Sequence, residues 1–200
     1  MSSRPDLKVD WCSYEAAKYA VMHWHYSKKM PKSKLVKLGV WEGGQFIGCV
    51  IFGRGANNHI GSPYGLEQIA VCELVRVALT DHQAPVTRIM SDAIKGLKAV
   101  HVGLRLIVSY ADPEQGHLGI IYQAGNWTYT GRSQSQRFTL GLSGEIVHKR
   151  VANLRHGTIT GLPKSKKLWK YKYLYPLDRA MRRQIEPLRK PYPKRASEAK

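Results

Sequence analysis

Leu106-Ile-Val-Ser-Tyr-Ala-Asp112 is a short apolar run closed by a carboxylate, and no other segment restricts the fold as much. Its length and its β-branched and aromatic content read as a buried strand. Gly116-His-Leu-Gly-Ile-Ile-Tyr-Gln-Ala-Gly-Asn-Trp127 follows within ten residues. It reads as a short helix that returns Tyr122 over the strand's end, then a second strand carrying Trp127 and Tyr129. A carboxylate and a phenol at a strand terminus can manage protons in a group transfer. Asp before Pro-Glu is equally an ordinary helix opening, and Tyr122 equally a core aromatic.

The rest of the chain sets these elements in a mixed order. Ser13 to His25 has an N-cap serine, many alanines and apolar residues at three-to-four spacing, which predicts a helix. Residues 34–41 and 45–52 are β-rich and joined by Glu42-Gly43-Gly44, a hairpin signal. Residues 53–65 form a Gly/Asn/Pro-rich loop. Glu73 to Leu79 is a strand, with Glu73 and Arg76 on opposite faces by period two. Thr87 is the expected cap of a helix running to Val100, with Ile89, Met90, Ala93, Ile94 and Leu97 on one side. After the strand at Arg105–Ala111 and the helix at Gly116–Gly125, residues 127–132 and 136–140 read as strands. Beyond Leu142 the periodicity blurs. This order implies one α/β domain, a mixed central sheet flanked by helices.

Charge separates the partner classes. The chain has 32 Lys and Arg against 14 Asp and Glu, a formal net charge of +18. From His148 to Lys200 there are 16 basic and 3 acidic residues. Lys164-Ser-Lys-Lys-Leu-Trp-Lys-Tyr-Lys-Tyr-Leu-Tyr175 alternates cations with rings, a pattern suited to a polyanion whose bases can stack. The expected division is a core over 1–142, a basic, aromatic DNA-binding extension over 143–186 packed on it, and a disordered tail over 187–200. Lys149, Arg150, Arg155, Lys164, Lys166, Lys167, Lys170 and Lys172 are the candidate DNA contacts. No apolar run reaches the ~18 residues of a membrane span. The N-terminus shows no secretory signal, and the irregularly spaced Cys12, Cys49 and Cys72 suit a reducing cytoplasm.

The element order resembles the acetyltransferase superfold called GNAT. Glu73-Leu-Val-Arg-Val-Ala-Leu79 matches its central strand, and Ile120-Ile-Tyr-Gln-Ala-Gly-Asn-Trp127 its helix-then-strand signature. The superfold's glycine-rich pyrophosphate loop has no counterpart, since Thr80-Asp-His-Gln-Ala-Pro-Val-Thr-Arg88 contains no glycine. His25-Tyr26-Ser27, Glu73-Leu-Val-Arg76, Ser109-Tyr-Ala-Asp112, Gly116-His-Leu-Gly119 and Ile121-Tyr-Gln-Ala124, in this order, resemble the Mom proteins of bacteriophages such as Mu. That resemblance covers roughly residues 11 to 178. It implies a transferase that adds a carbamoylmethyl group to the exocyclic amine of adenine in phage DNA, protecting the DNA from host restriction.

The resemblance implies a catalytic set of His25, Tyr26, Asp112 and Tyr122. In it, His25 takes a proton from the attacking amine, Asp112 orients or deprotonates the amine, and Tyr122 protonates the leaving group. Arg76, Thr87 and Arg88 would hold an anionic donor, either acyl-coenzyme A-like or another small activated metabolite. Some Mom-like proteins are associated with iron, and Asp112 with His25 or His117 is the ligand set this sequence offers. His23 reads as a helix-surface residue. The implied partners are double-stranded DNA and the donor, with no membrane and a homodimer left open, in the cytoplasm of the bacterial host. Two other readings stand beside this one: an acyl-coenzyme A-dependent N-acetyltransferase, and a non-catalytic DNA-binding protein on an enzyme-like core.

Overall fold

The computed structural model describes residues 6–55, 58–135, 137–140, 145–148 and 168–194. Seven strands form the central sheet in the order β1-β2-β3-β4-β5-β9-β6, and β7 (Arg137–Leu140) and β8 (Glu145–His148) form a separate pair. β1 (Leu7–Trp11), β2 (Leu35–Glu42), β3 (Gln45–Gly53) and β4 (Val71–Leu79) run antiparallel in turn. β4 and β5 (Leu106–Ala111) are parallel, and β9 (Leu168–Pro176) lies antiparallel between β5 and β6 (Thr128–Ser135). The fold is the expected mixed sheet flanked by helices.

Helices cover both faces. α1 (Tyr14–Trp24) begins where Ser13 accepts from the Ala16 amide at 3.1 Å, and it packs Ala17, Ala20 and Val21 against Cys49, Ile51 and Ala78. On the opposite face α2 (Val86–Val100) buries Ile89, Met90, Ala93, Ile94 and Leu97, the stripe expected from its 3.6-residue period. The short α3 (Ile120–Ala124) joins α2 on that side, with Tyr122 and Trp127 in the same core cluster. α4 (Arg179–Ile185) returns to the α1 face, where Met181 and Ile185 pack on Leu106, Val108 and Leu174. Among the described residues, no helix is long and apolar enough to cross a membrane.

Several expectations are corrected. Thr87 does not cap α2: the helix begins at Val86 behind Pro85, which offers no side-chain oxygen. Gly116–Gly119 stays outside α3, because Gly116 and Gly119 adopt φ of +70° and +78°. β1 and β9 were not anticipated. β9 is an internal strand of the sheet, so this part of the basic quarter belongs to the core rather than to an appendage on it. Residues 187–194 are no loose tail either. The Lys190 amide donates to the Tyr129 carbonyl at 2.8 Å and the Tyr192 hydroxyl to the Trp127 carbonyl at 2.8 Å, strapping this segment across β6. The boundary at 142/143 and the terminal residues 195–200 lie outside the described residues.

Candidate active site

β4 and β5 pair only from Val71 with Leu106 to Leu74 with Ser109. Beyond that point β4 stays with β3 while β5 follows β9, and the two parallel strands part. The parting coincides with a bulge. Ile51 faces Arg76 and Phe52 faces Leu74, so Val75 is the extra residue. A bulge bends its strand and re-aims the side chains beside it. The extra residue also cancels the period-two alternation, and Glu73 and Arg76, expected on opposite faces, line one cavity.

This cavity has a volume of about 540 Å³, and Trp24, His25 and Tyr26 from the end of α1 close one side of it. Glu73, Arg76 and Tyr110 come from the parting strands, and His117 and Tyr122 from the segment after β5. Lys170 of β9 completes the polar wall. The position is the open end of diverging parallel strands, where α/β sheets bind ligands.

Ser109 ties the parting together. It is fully buried, its hydroxyl lies 2.9 Å from the Leu74 carbonyl, and the Tyr122 hydroxyl lies 2.8 Å away. A carbonyl only accepts, so Ser109 donates to Leu74 and the phenol donates to Ser109. Burial pushes the Tyr122 phenol up to about 12, while the Ser109 hydrogen bond lowers it. Tyr122 therefore holds its proton at neutral pH and directs it inward, to Ser109. Loss of that proton would leave Ser109 free to turn its own hydrogen toward the phenolate.

His25 is buried, and its Nδ1 receives the Ser27 backbone N–H at 3.1 Å, with the Ser27 hydroxyl at 2.9 Å. Burial, then Coulomb interactions with Arg76, His117 and Lys28, lower the imidazole to about 4. The ring is neutral at pH 7. Tyr26 stands half-exposed at the mouth, its ring 4.3 Å from that of His25 and 4.9 Å edge-on to His117. Burial and the Asp112 carboxylate raise its phenol, and Arg76 opposes them.

Asp112 takes the structural duty that its sequence context also allowed. One oxygen accepts the Glu114 amide at 3.1 Å, capping the 3₁₀ turn Pro113–Gln115, and the other lies 3.7 Å from Lys170 Nζ. It is buried behind the cavity wall, close enough to act electrostatically on Tyr26. Arg76 hydrogen-bonds main-chain carbonyls, Val75 at 2.6 Å and Lys29 at 3.2 Å. Its buried Nε has no hydrogen-bond partner among the described residues.

The other expected donor contacts lie elsewhere. Thr87 and Arg88 are not on the cavity wall. Ahead of α2 the Gln83 and Ala84 amides donate to the Glu42 carboxylate at 2.8 and 2.7 Å, so an internal anion already sits there. Arg88 is near this carboxylate and helps to lower it. Among the described residues no three His, Cys, Asp or Glu side chains are grouped to hold a metal ion, so His25, Asp112 and His117 do not come together as a three-ligand site. Of the candidate DNA contacts, Lys170 is at the cavity and Lys172 lies 5.7 Å over the Tyr64 ring. Lys149, Arg150, Arg155, Lys164, Lys166 and Lys167 lie outside the described residues. Nothing in the sequence singled out Ser109 or Tyr110, and Glu73 was expected only on the strand face opposite Arg76. All three sit at ordinary strand positions, and only the divergence of β4 from β5 reveals their place.

The profile of the Mom protein family matches residues 6–194. Methylcarbamoylase mom of Escherichia phage Mu is 28% identical over 152 residues, which are 74% of this chain and 62% of that protein. This chain thus spans about 62% of the length of that relative. Among solved structures, a protein from Acinetobacter baylyi assigned as an acetyltransferase superposes with a TM-score of 0.50 at 15% identity, covering 96% of this chain and 100% of the other. FeeM, an N-acyl amino acid synthase from uncultured soil microbes, gives 0.50 at 13% identity, covering 92% and 96%. At this identity the two structures establish the fold.

Proposed function

Given that the chain belongs to the Mom protein family, we propose that it is a group transferase that adds a carbamoylmethyl group to the exocyclic amine of adenine in double-stranded DNA. The observation that carries this reading is the cavity at the β4–β5 parting, where His25, Tyr26, Arg76 and Tyr122 meet. Its 540 Å³ fall within the roughly 300–1,000 Å³ of small-molecule sites. Such a volume suits a single extruded base with a compact donor. Taking adenine out of the stack costs a few kcal/mol, and the half-exposed Tyr26 ring at the mouth is placed to repay part of it by stacking.

In this reading Arg76 anchors the donor, its buried Nε being without a hydrogen-bond partner among the described residues. The amine nitrogen bonds to the methylene carbon as the bond from that carbon to the leaving group breaks. Tyr122 turns its O–H from Ser109 to the leaving group, Ser109 then donates to the phenolate, and the phenolate takes up the proton that the amine loses. Asp112 acts one step back, holding Lys170 on the cavity wall and the 3₁₀ turn that carries His117. The donor is a small activated metabolite that brings its own leaving group. The net charge of +18 supports a nucleic-acid partner. The host cytoplasm is the compartment where such DNA is found.

The test is mass spectrometry of nucleosides from plasmid DNA in bacteria expressing the protein. A new deoxyadenosine derivative heavier by the transferred group is expected. An unmodified deoxyadenosine pool beside abundant, folded protein overturns the proposal.

A further inference from the structure

Resting on the function just proposed, we infer that His25 is a fixed hydrogen-bond donor in the cavity: its Nε2–H, beside the Arg76 guanidinium, receives the carbonyl oxygen of the transferred group. This reverses the role of proton acceptor that the sequence suggested for it. The geometry carries the inference. A backbone N–H can only donate, so the Ser27 amide at 3.1 Å requires a lone pair on Nδ1. A neutral imidazole that accepts at Nδ1 holds its hydrogen at Nε2. The accepting nitrogen is turned back onto its own chain, two residues along, which leaves Nε2 as the nitrogen available to the cavity that His25 lines.

The surroundings keep this tautomer in place. Arg76, His117 and Lys28 all oppose a second proton on the ring. The Ser27 contact lies at the C-terminal end of α1, where His25 itself closes the helix through its amide to the Val21 carbonyl. The donor N–H is thus held by main-chain geometry before any ligand arrives. Preorganised donors of this kind gain most where water is excluded, and His25 is buried. Arg76 supplies the charge beside it, with two of its nitrogens committed to carbonyls of Val75 and Lys29 and its Nε without a hydrogen-bond partner among the described residues. An uncharged donor next to a cation favours a ligand oxygen that is neutral at rest and gains negative charge during transfer. A carbonyl next to the reacting carbon has that property; a diphosphate, fully charged beforehand, does not.

Two measurements test this. Two-bond proton–nitrogen correlation spectra of ¹⁵N-labelled protein, with His25 assigned from the spectrum of a His25→Gln variant, should show Nδ1 bare and Nε2 protonated between about pH 5.5 and 8. An Nδ1–H tautomer or a doubly protonated ring at neutral pH overturns the inference. In steady-state modification of DNA, His25→Leu should lower kcat about 10²–10³-fold, the usual effect of deleting one such donor. His25→Gln, which keeps a side-chain N–H, should recover about tenfold of that, with DNA binding at the wild-type level in both. If both variants fold and bind DNA yet Gln is no better than Leu, the donor role is wrong while the function stands. A wild-type protein that modifies nothing overturns the function and the carbonyl assignment with it, and the ring spectra still decide the tautomer.

Discussion

At the scale of single residues, the buried groups beside the strand parting set measurable limits. The folded-state pKa of His25 is about 4, below the ordinary 6.5. Between those values the unfolded chain binds a proton that the native state refuses. Stability is therefore complete above about pH 6.5 and declines as the pH falls toward 4, by at most about 1.4 kcal/mol per pH unit. Urea midpoints measured across this window should fall for the wild type, and more shallowly for His25→Leu. Ser109→Ala is a second case. It leaves the Leu74 carbonyl and the Tyr122 hydroxyl without their buried partner, a loss of about 1–3 kcal/mol. Chemical denaturation would register it, and a Ser109→Ala protein as stable as wild type would show that water replaces the hydroxyl.

At the scale of elements, the helices were legible wherever side-chain period and capping agree. The α1 cap and the buried stripe of α2 follow from Ser13 and from spacing alone. α4, which was not anticipated, is nevertheless capped in the same way: Asp178 accepts the Met181 amide at 2.7 Å and pairs with Arg105 at 2.8 Å. Asp178→Ala should cost about 0.5–2 kcal/mol of stability through the lost cap, and Asn should retain most of it. Melting temperatures of the two variants check this order. β9 was illegible for a physical reason. Leu168-Trp-Lys-Tyr-Lys-Tyr-Leu-Tyr-Pro176 puts lysines where a buried strand is expected to be apolar. Lys170 finds Asp112 and the cavity, and Lys172 finds the Tyr64 ring, so both cations are accommodated by partners distant in sequence. The site divides along the same line. His25, Tyr26, Arg76 and Tyr122, singled out from local motifs, all line the one cavity, whereas the Ser109 bridge and the inward face of Glu73 depend on a bulge that no spacing announces.

For the whole molecule, the formal net charge of +18 makes the proposed DNA binding measurable. If the basic surface neutralises about six phosphates, log affinity for duplex DNA should fall against log salt with a slope near −5. Fluorescence anisotropy over a salt series measures it, and a slope near zero would detach the charge from DNA binding. The sheet also has a consequence for biogenesis. Among the described residues, β5 and β6 are joined through β9, a strand made more than thirty residues after β6 ends. At roughly 5–20 residues per second, the nascent chain waits several seconds on the ribosome with both flanking edges bare. During that interval it is a natural client for chaperones, and a ribosome stalled before residue 168 would release a chain unable to close its own sheet.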